Sequence, residues 1–539
     1  MSQNLRAAFI KLDSFIRGRM RLENIPGLTI AVTDKDRLLW SRGYGYANLD
    51  SKGRVTKRSL FQIGSISKSF ASTALLQLVE EGKVDLHKPV KRYLPWFEVK
   101  SRFGPITLDH LLSHTAGIIT GEERTPEVKT EIWSLRETEA TAKPGEMFHY
   151  SNIGYKIIGE VISKVTGQRL PRVLQERVIW PLEMRETYPE ITHDLRDKSA
   201  IGYWPLHDDK PIKNSPQWVP CTWIESEAAD GSICSTSEDM CKYVRMLLNR
   251  GRTPDGKLMT DDSYSMLVQK RISYREKGKT EYYGYGIGSE SYHRHLLMGH
   301  TGGMPGFISS LHYDLNENVG AFASTNCLKS VDDITKLAVE LVRRARHHGQ
   351  LQGAENTVLP PKPNLRDYIG TYTSSTRSLD IRENRGTLTV CFVDEWIPLE
   401  WQEGDIFYSD HPSLDRFVFS FGRHKGKVVE VTHGEDWFTN GRFKGKRRLD
   451  YPKEWDSFTG HFRSYDPWSS NFRVLVVKGS LWMASMSSPG EPLTPVGNRA
   501  FRVGADRRSP ERLSFSTFVD GKAQIANLSG CEHARTFTP

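Results

Sequence analysis

The chain has no apolar run long enough to cross a bilayer, and its six cysteines are spread over 539 residues with no C-x-x-C pair. Each shortage excludes something. A membrane-spanning helix needs about 20 consecutive apolar residues, so none is expected. Cys221, Cys234, Cys241, Cys327, Cys391 and Cys531 show no finger spacing, which argues against zinc and against a disulfide framework. Reduced, mostly buried thiols are predicted. Met1 to Leu22 mixes Arg and Lys among apolar residues without a continuous apolar core, so no signal peptide is expected and a cytoplasmic location follows. The net charge of +9 could suggest nucleic acid, but the excess is diffuse, as in Arg423 to Lys427 and Arg442 to Arg448. Solvated loops explain it better than a nucleic-acid partner.

What is present points to a soluble globular protein of two or three domains. A hydrophobic content of 38% with 26% charged residues describes a globular chain, and 539 residues exceed one core. The most telling stretch is Ser65-Ile66-Ser67-Lys68, after the apolar run Leu60-Phe61-Gln62-Ile63-Gly64. Ile66, Phe70, Ala74, Leu75, Leu78 and Val79 recur at helical spacing, which predicts a buried helix with Ser65 in its first turn. Residues three apart lie one above the other on a helix, so a hydroxyl and an amine meet there by backbone geometry alone. Taken alone the tetrapeptide is weak, because a capping serine and a solvated lysine have the same spacing.

Two further segments add to it. Tyr150-Ser151-Asn152 follows the turn Lys143-Pro144-Gly145-Glu146 and precedes a buried helical pattern from Ile153 to Glu160. His300-Thr301-Gly302-Gly303 follows an apolar strand-like run, and glycines beside a strand edge allow close approach of another backbone. His110 and His114 stand at i and i+4 and could face a metal, but no glutamate follows the first as in a zinc hydrolase, so packing and capping are favoured. No G-x-S-x-G elbow surrounds Ser65. Ala229 to Met240 reads as a loop feeding a helix, with Ser235 and Glu238 matching a capping box.

With these motifs on the page, residues 5 to 345 resemble the serine β-lactamase and penicillin-binding protein family, in particular its class C, D-aminopeptidase and esterase branch. The resemblance rests on Phe61 to Phe70, Ile106 to Gly117, Tyr150-Ser151-Asn152 and Gly299 to Gly306. It implies an α/β catalytic domain: an antiparallel sheet flanked by helices, with a helical subdomain. It also implies roles. Ser65 would be the nucleophile, Lys68 its neighbour, and Tyr150 the base for acylation and the acid for the departing group. Asn152 would orient the substrate amide or Lys68, and His300, Thr301 and Gly302 would line the substrate. The backbone N–H groups of Ser65 and Gly303 would form the oxyanion hole, a contribution of ~3 kcal/mol per donor. No metal and no cofactor is implied.

Chemistry constrains these roles. Free lysine and tyrosine both titrate near ~10, so a base at neutral pH needs a shift of about three units, or roughly 4 kcal/mol. A helix terminus contributes at most ~1–2 kcal/mol. Mutual placement must do the rest, and whether Lys68 or Tyr150 is the base stays open. His300 stands where relatives carry a lysine, and a neutral imidazole forgoes a charge-assisted bond of ~1.5–3 kcal/mol to a substrate carboxylate. The expected activity is therefore hydrolysis of small peptides, including D-residue peptides, or of esters. A β-lactamase or D,D-carboxypeptidase is the alternative, and a non-catalytic scaffold or sensor is a third reading.

The domain organisation expected is residues 1–346 catalytic, 347–364 linker, and two small antiparallel β-barrels at 365–449 and 450–539. The linker is polar and proline-containing, and a helix from Ser330 to Arg346 precedes it. Beyond it, Tyr368 to Ser374 is echoed by Phe458 to Ser464, and Gly426 to Val429 by Gly521 to Ile525, at nearly the same offset. The barrels would serve homo-oligomerisation, spacing or restriction of the cleft; no membrane partner is expected.

Overall fold

The computed structural model describes residues 2–121, 127–276, 278–347, 349–357, 361–485 and 490–537. Two compact units share the chain: Met1–Trp204 with Trp218–Leu359, and Pro205–Gln217 with Pro360–Pro539.

The first unit is built on a nine-stranded sheet, antiparallel throughout, in the spatial order Ile272–Glu276, Lys279–Tyr283, Gly288–Tyr292, His295–Met304, Phe307–Asp314, Val319–Thr325, Gly27–Asp34, Leu38–Asn48 and Gly53–Arg54. The N-terminal strand thus lies beside the last one, Leu28 opposite Thr325 and Val32 opposite Ala321. Both of these strands are buried on both faces, so each side has cover. Helices Gln3–Leu22 and Asp332–Arg346 supply one cover, closing Phe9, Leu12, Ile334, Leu337 and Leu341 over Leu28, Ile30 and Val32. On the other side the helix Ser237–Leu248 packs on the sheet, with the Ser237 and Thr29 hydroxyls 2.8 Å apart. Behind it lies the helix Ser67–Glu80, whose Phe70 ring stacks on Tyr243 at 3.9 Å. That helix is enclosed nearly all round, because Asn152–Thr166 packs against it as well.

Three local details differ from the sequence reading. The terminal helix begins at Asp332, not Ser330. The helix after residue 236 is capped by Thr236, which accepts from Asp239 N–H, and not by Ser235. The Ser235 hydroxyl is instead drawn away to Thr187 at 2.8 Å. Ser65 sits in a 3-10 turn, Gly64–Ile66, immediately before the α-helix rather than within it.

The second unit holds two closed eight-stranded antiparallel barrels, Gly370–Thr373 to Asp436–Thr439 and Gly460–Arg463 to Cys531–Thr536. Each is filled by side chains: Tyr368, Tyr372, Phe407 and Phe421 in the first, and Phe458, Phe462, Phe501 and Phe515 in the second. The two sequence echoes fall on the same strands of each barrel. Gly370 and Gly460 open the first strands with φ of +147° and +152°, and Gly426 and Gly521 turn the hairpins into the seventh with φ of +79° and +73°.

Pro205–Gln217 is an excursion from the sequence of the first unit that belongs to this barrel unit. Arg463 of the second barrel pairs with Asp208 at 2.6 Å, Asp415 of the first pairs with Lys210 at 2.6 Å, and Tyr408 accepts from Asn214 N–H at 2.7 Å. The sequence reading, which ran one domain through residue 346, did not separate it. Among the described residues no helix is long and apolar enough to cross a membrane.

Candidate active site

The turn that carries Ser65 is fitted backbone against backbone to the strand His295–Met304. Gly64 has φ +55°, and a Cβ there would lie 2.6 Å from the backbone of Gly303. A Cβ at Gly302 would lie 1.9 Å from the Ile63 carbonyl oxygen and 3.1 Å from Ser65 N. Only glycine fits at either position. The next strand, Gly288–Tyr292, pairs with His295 to Gly299 and stops there. From His300 onward this edge therefore faces the turn that carries Ser65, and Ser65 N comes close to the Gly302–Gly303 backbone.

Lys68 follows one helical turn later and is fully buried. Its Nζ lies 2.9 Å from Ser65 Oγ, 2.8 Å from Asn152 Oδ1 and 2.8 Å from the Asp230 carbonyl oxygen. Two of those oxygens can only accept. An ammonium donates to all three; an amine donates to Asn152 and Asp230 and keeps its lone pair toward the Ser65 hydroxyl. Either way the geometry holds a hydroxyl and a nitrogen in line for proton transfer.

Asn152 begins the helix Asn152–Thr166, whose N-cap Ser151 accepts from Gly154 N–H. Tyr150 precedes the cap, and its carbonyl accepts from the Thr120 hydroxyl at 3.1 Å. The Tyr150 ring centre is 5.0 Å from Lys68 Nζ, a cation–π separation, and 6.2 Å from the His300 ring. Beneath it lies His114, with a backbone φ of +56° and its ring 4.3 Å from that of Tyr150. His114 Nδ1 accepts from Ser151 N–H at 3.0 Å, and burial, reinforced by the Lys68 charge, holds this imidazole well below its ordinary range. It is a support for the Tyr150–Asn152 loop. His110 serves the capping box of the helix Leu108–Leu112. Among the described residues no group of three or more His, Cys, Asp or Glu could hold a metal ion.

His300 is half-buried, and burial followed by the Lys68 charge pushes it down to about 4. Its Nδ1 bonds to the Thr301 carbonyl, which can only accept, so Nδ1 carries the proton. Nε2 is then the acceptor for the Tyr283 hydroxyl at 2.8 Å. Burial raises Tyr283 well above the usual phenol range, which keeps it a donor. His300 is thus neutral with both nitrogens engaged, and Thr301 is exposed next to it.

Sequence reasoning missed two participants, the Asp230 carbonyl and Tyr283. The Asp230 carbonyl reaches Lys68 because Ile63 N–H bonds to Ile233 O at 2.9 Å and Ile233 N–H bonds to Ser67 Oγ at 3.2 Å, tying that loop to the turn. A main-chain acceptor leaves no side-chain signal in sequence. Tyr283 lies in the aromatic run Tyr282 to Tyr285, which could have drawn notice; His114 was read as a packing residue, and it packs under Tyr150.

A helix-flanked antiparallel sheet, with a Ser-x-x-Lys turn set against a glycine strand edge, defines the class. The chain belongs to the Beta-lactamase family, whose model matches residues 12–343. It is similar to Protein flp of Staphylococcus aureus (strain MW2), 25% identical over 327 residues that make up 59% of this chain and 62% of that protein. The chain thus spans about three fifths of the length of that relative, 62%. It is also similar to Unguisins hydrolase ungD of Aspergillus violaceofuscus, 32% identical over 257 residues, 43% of each chain. Among solved structures, the octameric penicillin-binding protein homologue from Pyrococcus abyssi matches with a TM-score of 0.58 and 22% identity, over 80% of this chain and 100% of that one. At that identity the likeness concerns the fold alone.

Proposed function

We propose that this protein is a serine hydrolase that cleaves amide or ester bonds of small peptides, including D-residue peptides, or of simple esters through an acyl-enzyme on Ser65. The observation that carries the reading is the Lys68 Nζ bonded at once to Ser65 Oγ and Asn152 Oδ1, at 2.9 and 2.8 Å. In acylation, Ser65 Oγ bonds to the substrate carbonyl carbon while its proton passes to the Lys68–Tyr150 pair. The carbonyl oxygen takes up negative charge against the N–H groups of Ser65 and Gly303. Collapse breaks the bond to the departing amine or alcohol, which takes the proton from Tyr150. Water then attacks the ester, its proton passes to the same pair, and Ser65 is regenerated.

The neutral, doubly engaged His300 supports this choice over a β-lactamase or D,D-carboxypeptidase, since neither of its nitrogens offers a free donor to a substrate carboxylate. The hydrolase name of the fungal relative is in keeping with the class of reaction. An oligomer is part of the proposal, as in the octameric archaeal homologue. The direct test is labelling with a fluorophosphonate probe. The wild type should label, Ser65→Ala should not while remaining folded, and labelling that survives the substitution would refute the assignment. Nitrocefin turnover comparable to that of a p-nitrophenyl ester would favour the β-lactamase alternative.

A further inference from the structure

Next to the catalytic centre lies a cavity of about 590 Å³ that begins at Tyr150, His300 and Thr301 and runs to Asp332 and Lys336. In the proposed acylation the departing group collects its proton from Tyr150, so the space beyond Tyr150 and His300 is where that group rests. The charge of this space is one-sided. Glu276, Glu281, Glu290 and Asp332 face Lys279 and Lys336, with His312 besides. At the far wall Lys336 bridges Glu290 and Asp332 at 2.6 and 2.8 Å, and His312 Nε2 lies 3.4 and 3.5 Å from the same two carboxylates. Those two acids are compensated. Glu281 is not: among the described residues it has no ion-pair partner, and it accepts only from the Tyr274 hydroxyl at 2.9 Å. Burial raises Glu281 above the ordinary carboxyl range, with Glu290 and Glu276 adding to it and the Tyr274 hydrogen bond and the Lys336 charge opposing it.

Two independent features make this more than a group of acids. Ser289, which lines the cavity, is 8% exposed, and its hydroxyl has no partner among the described residues. Phe148 stacks on Tyr274 at 4.3 Å and 16° to form an aromatic wall beside Glu281, a surface suited to an alkyl chain ending in a cation.

We propose that this cavity receives the departing part of the substrate and selects departing groups that carry a positive charge, an amine or a basic residue, over those that end in a carboxylate. The proposal rests on the hydrolase reading for its chemistry but not for the binding. Glu281 holds the cation, the Phe148–Tyr274 wall carries its alkyl stem, and His300 gives a carboxylate nothing to bind.

The test compares kcat/KM of the full chain for D-alanyl-lysinamide, D-alanyl-leucinamide and D-alanyl-leucine, whose departing groups are cationic, neutral and anionic. The expected order is the one just given, with about tenfold between cationic and neutral, the size of one charge-assisted bond. Glu281→Gln should bring that ratio close to one, and Glu276→Gln, at the exposed rim, should lower it less. In parallel, calorimetry measures binding of free lysinamide, leucinamide and leucine, which needs no turnover. Lysinamide should bind about tenfold tighter than leucinamide and lose this advantage in Glu281→Gln. Leucine binding as well as lysinamide overturns the cavity's selectivity whatever the turnover. Lysinamide binding in a protein that no fluorophosphonate labels would instead overturn the hydrolase reading and leave the cation site standing.

Discussion

Two lysines of the first unit are equally hidden from water, Lys68 at 0% and Lys156 at 2% exposure, and they are treated in opposite ways. Lys156, on the helix Asn152–Thr166, is ion-paired with the buried Glu131, so its charge is cancelled on the spot. Lys68 is given a serine, an amide and a main-chain carbonyl, none of which carries a charge. A buried ion pair fixes a proton on the lysine. A ring of neutral oxygens holds the nitrogen in position without an opposite charge beside it. The contrast separates a lysine that serves the fold from one that, in the proposed mechanism, serves chemistry.

The contrast is broken most directly at Lys68. Lys68→Met should lower kcat/KM on p-nitrophenyl esters by roughly a thousandfold, the range of acid–base catalysis, without lowering the urea midpoint. An equal loss of stability and activity would make Lys68 a structural residue. Glu131→Ala should do the reverse: a loss of about 3–5 kcal/mol in unfolding free energy, because the buried ion pair with Lys156 is broken, with the surviving folded fraction still labelled on Ser65. His300→Lys restores a free cation beside the cleft and should tighten binding of a carboxylate-bearing fluorescent penicillin by about ten- to hundredfold.

The smallest effect is on pH. His300 is held near 4 in the fold against an ordinary value of 6.5. Between those values the unfolded chain binds a proton that the native one refuses, so this group's contribution to stability is complete above about 6.5 and is lost as the pH falls toward 4. His300→Gln should flatten the rise of the urea midpoint from pH 5 to 7. An unchanged slope would mean that the imidazole is protonated in the fold.

The sequence made the short-range part of the site readable. Ser65 and Lys68 are joined by helical spacing, and Tyr150 and Asn152 by adjacency to a cap, so periodicity and turn chemistry sufficed. What sequence could not supply is long-range register. The Tyr283–His300 bond depends on how three strands align, and the Asp230 carbonyl depends on a loop tied down by main-chain bonds at Ile63 and Ile233. The capping residue was misassigned by one position because Ser235 and Thr236 are chemically alike and only the competing Thr187 hydroxyl separates them. For the barrels, the echo between Gly426 and Gly521 located equivalent hairpins, since a positive φ at a tight turn demands the same residue each time.

The Pro205–Gln217 excursion has a consequence for how the chain can be cut. The backbone leaves the first unit at residue 204, returns at 218 and leaves again at 359, so three covalent crossings join the two units. Cleavage by a protease between 347 and 364 severs only one of them, and under native conditions the two fragments should co-elute. Ending the chain at 346 would instead strip Asp208, Lys210 and Asn214 of Arg463, Asp415 and Tyr408. The barrels are therefore stitched in rather than appended, and a shortened chain needs this segment excised along with them.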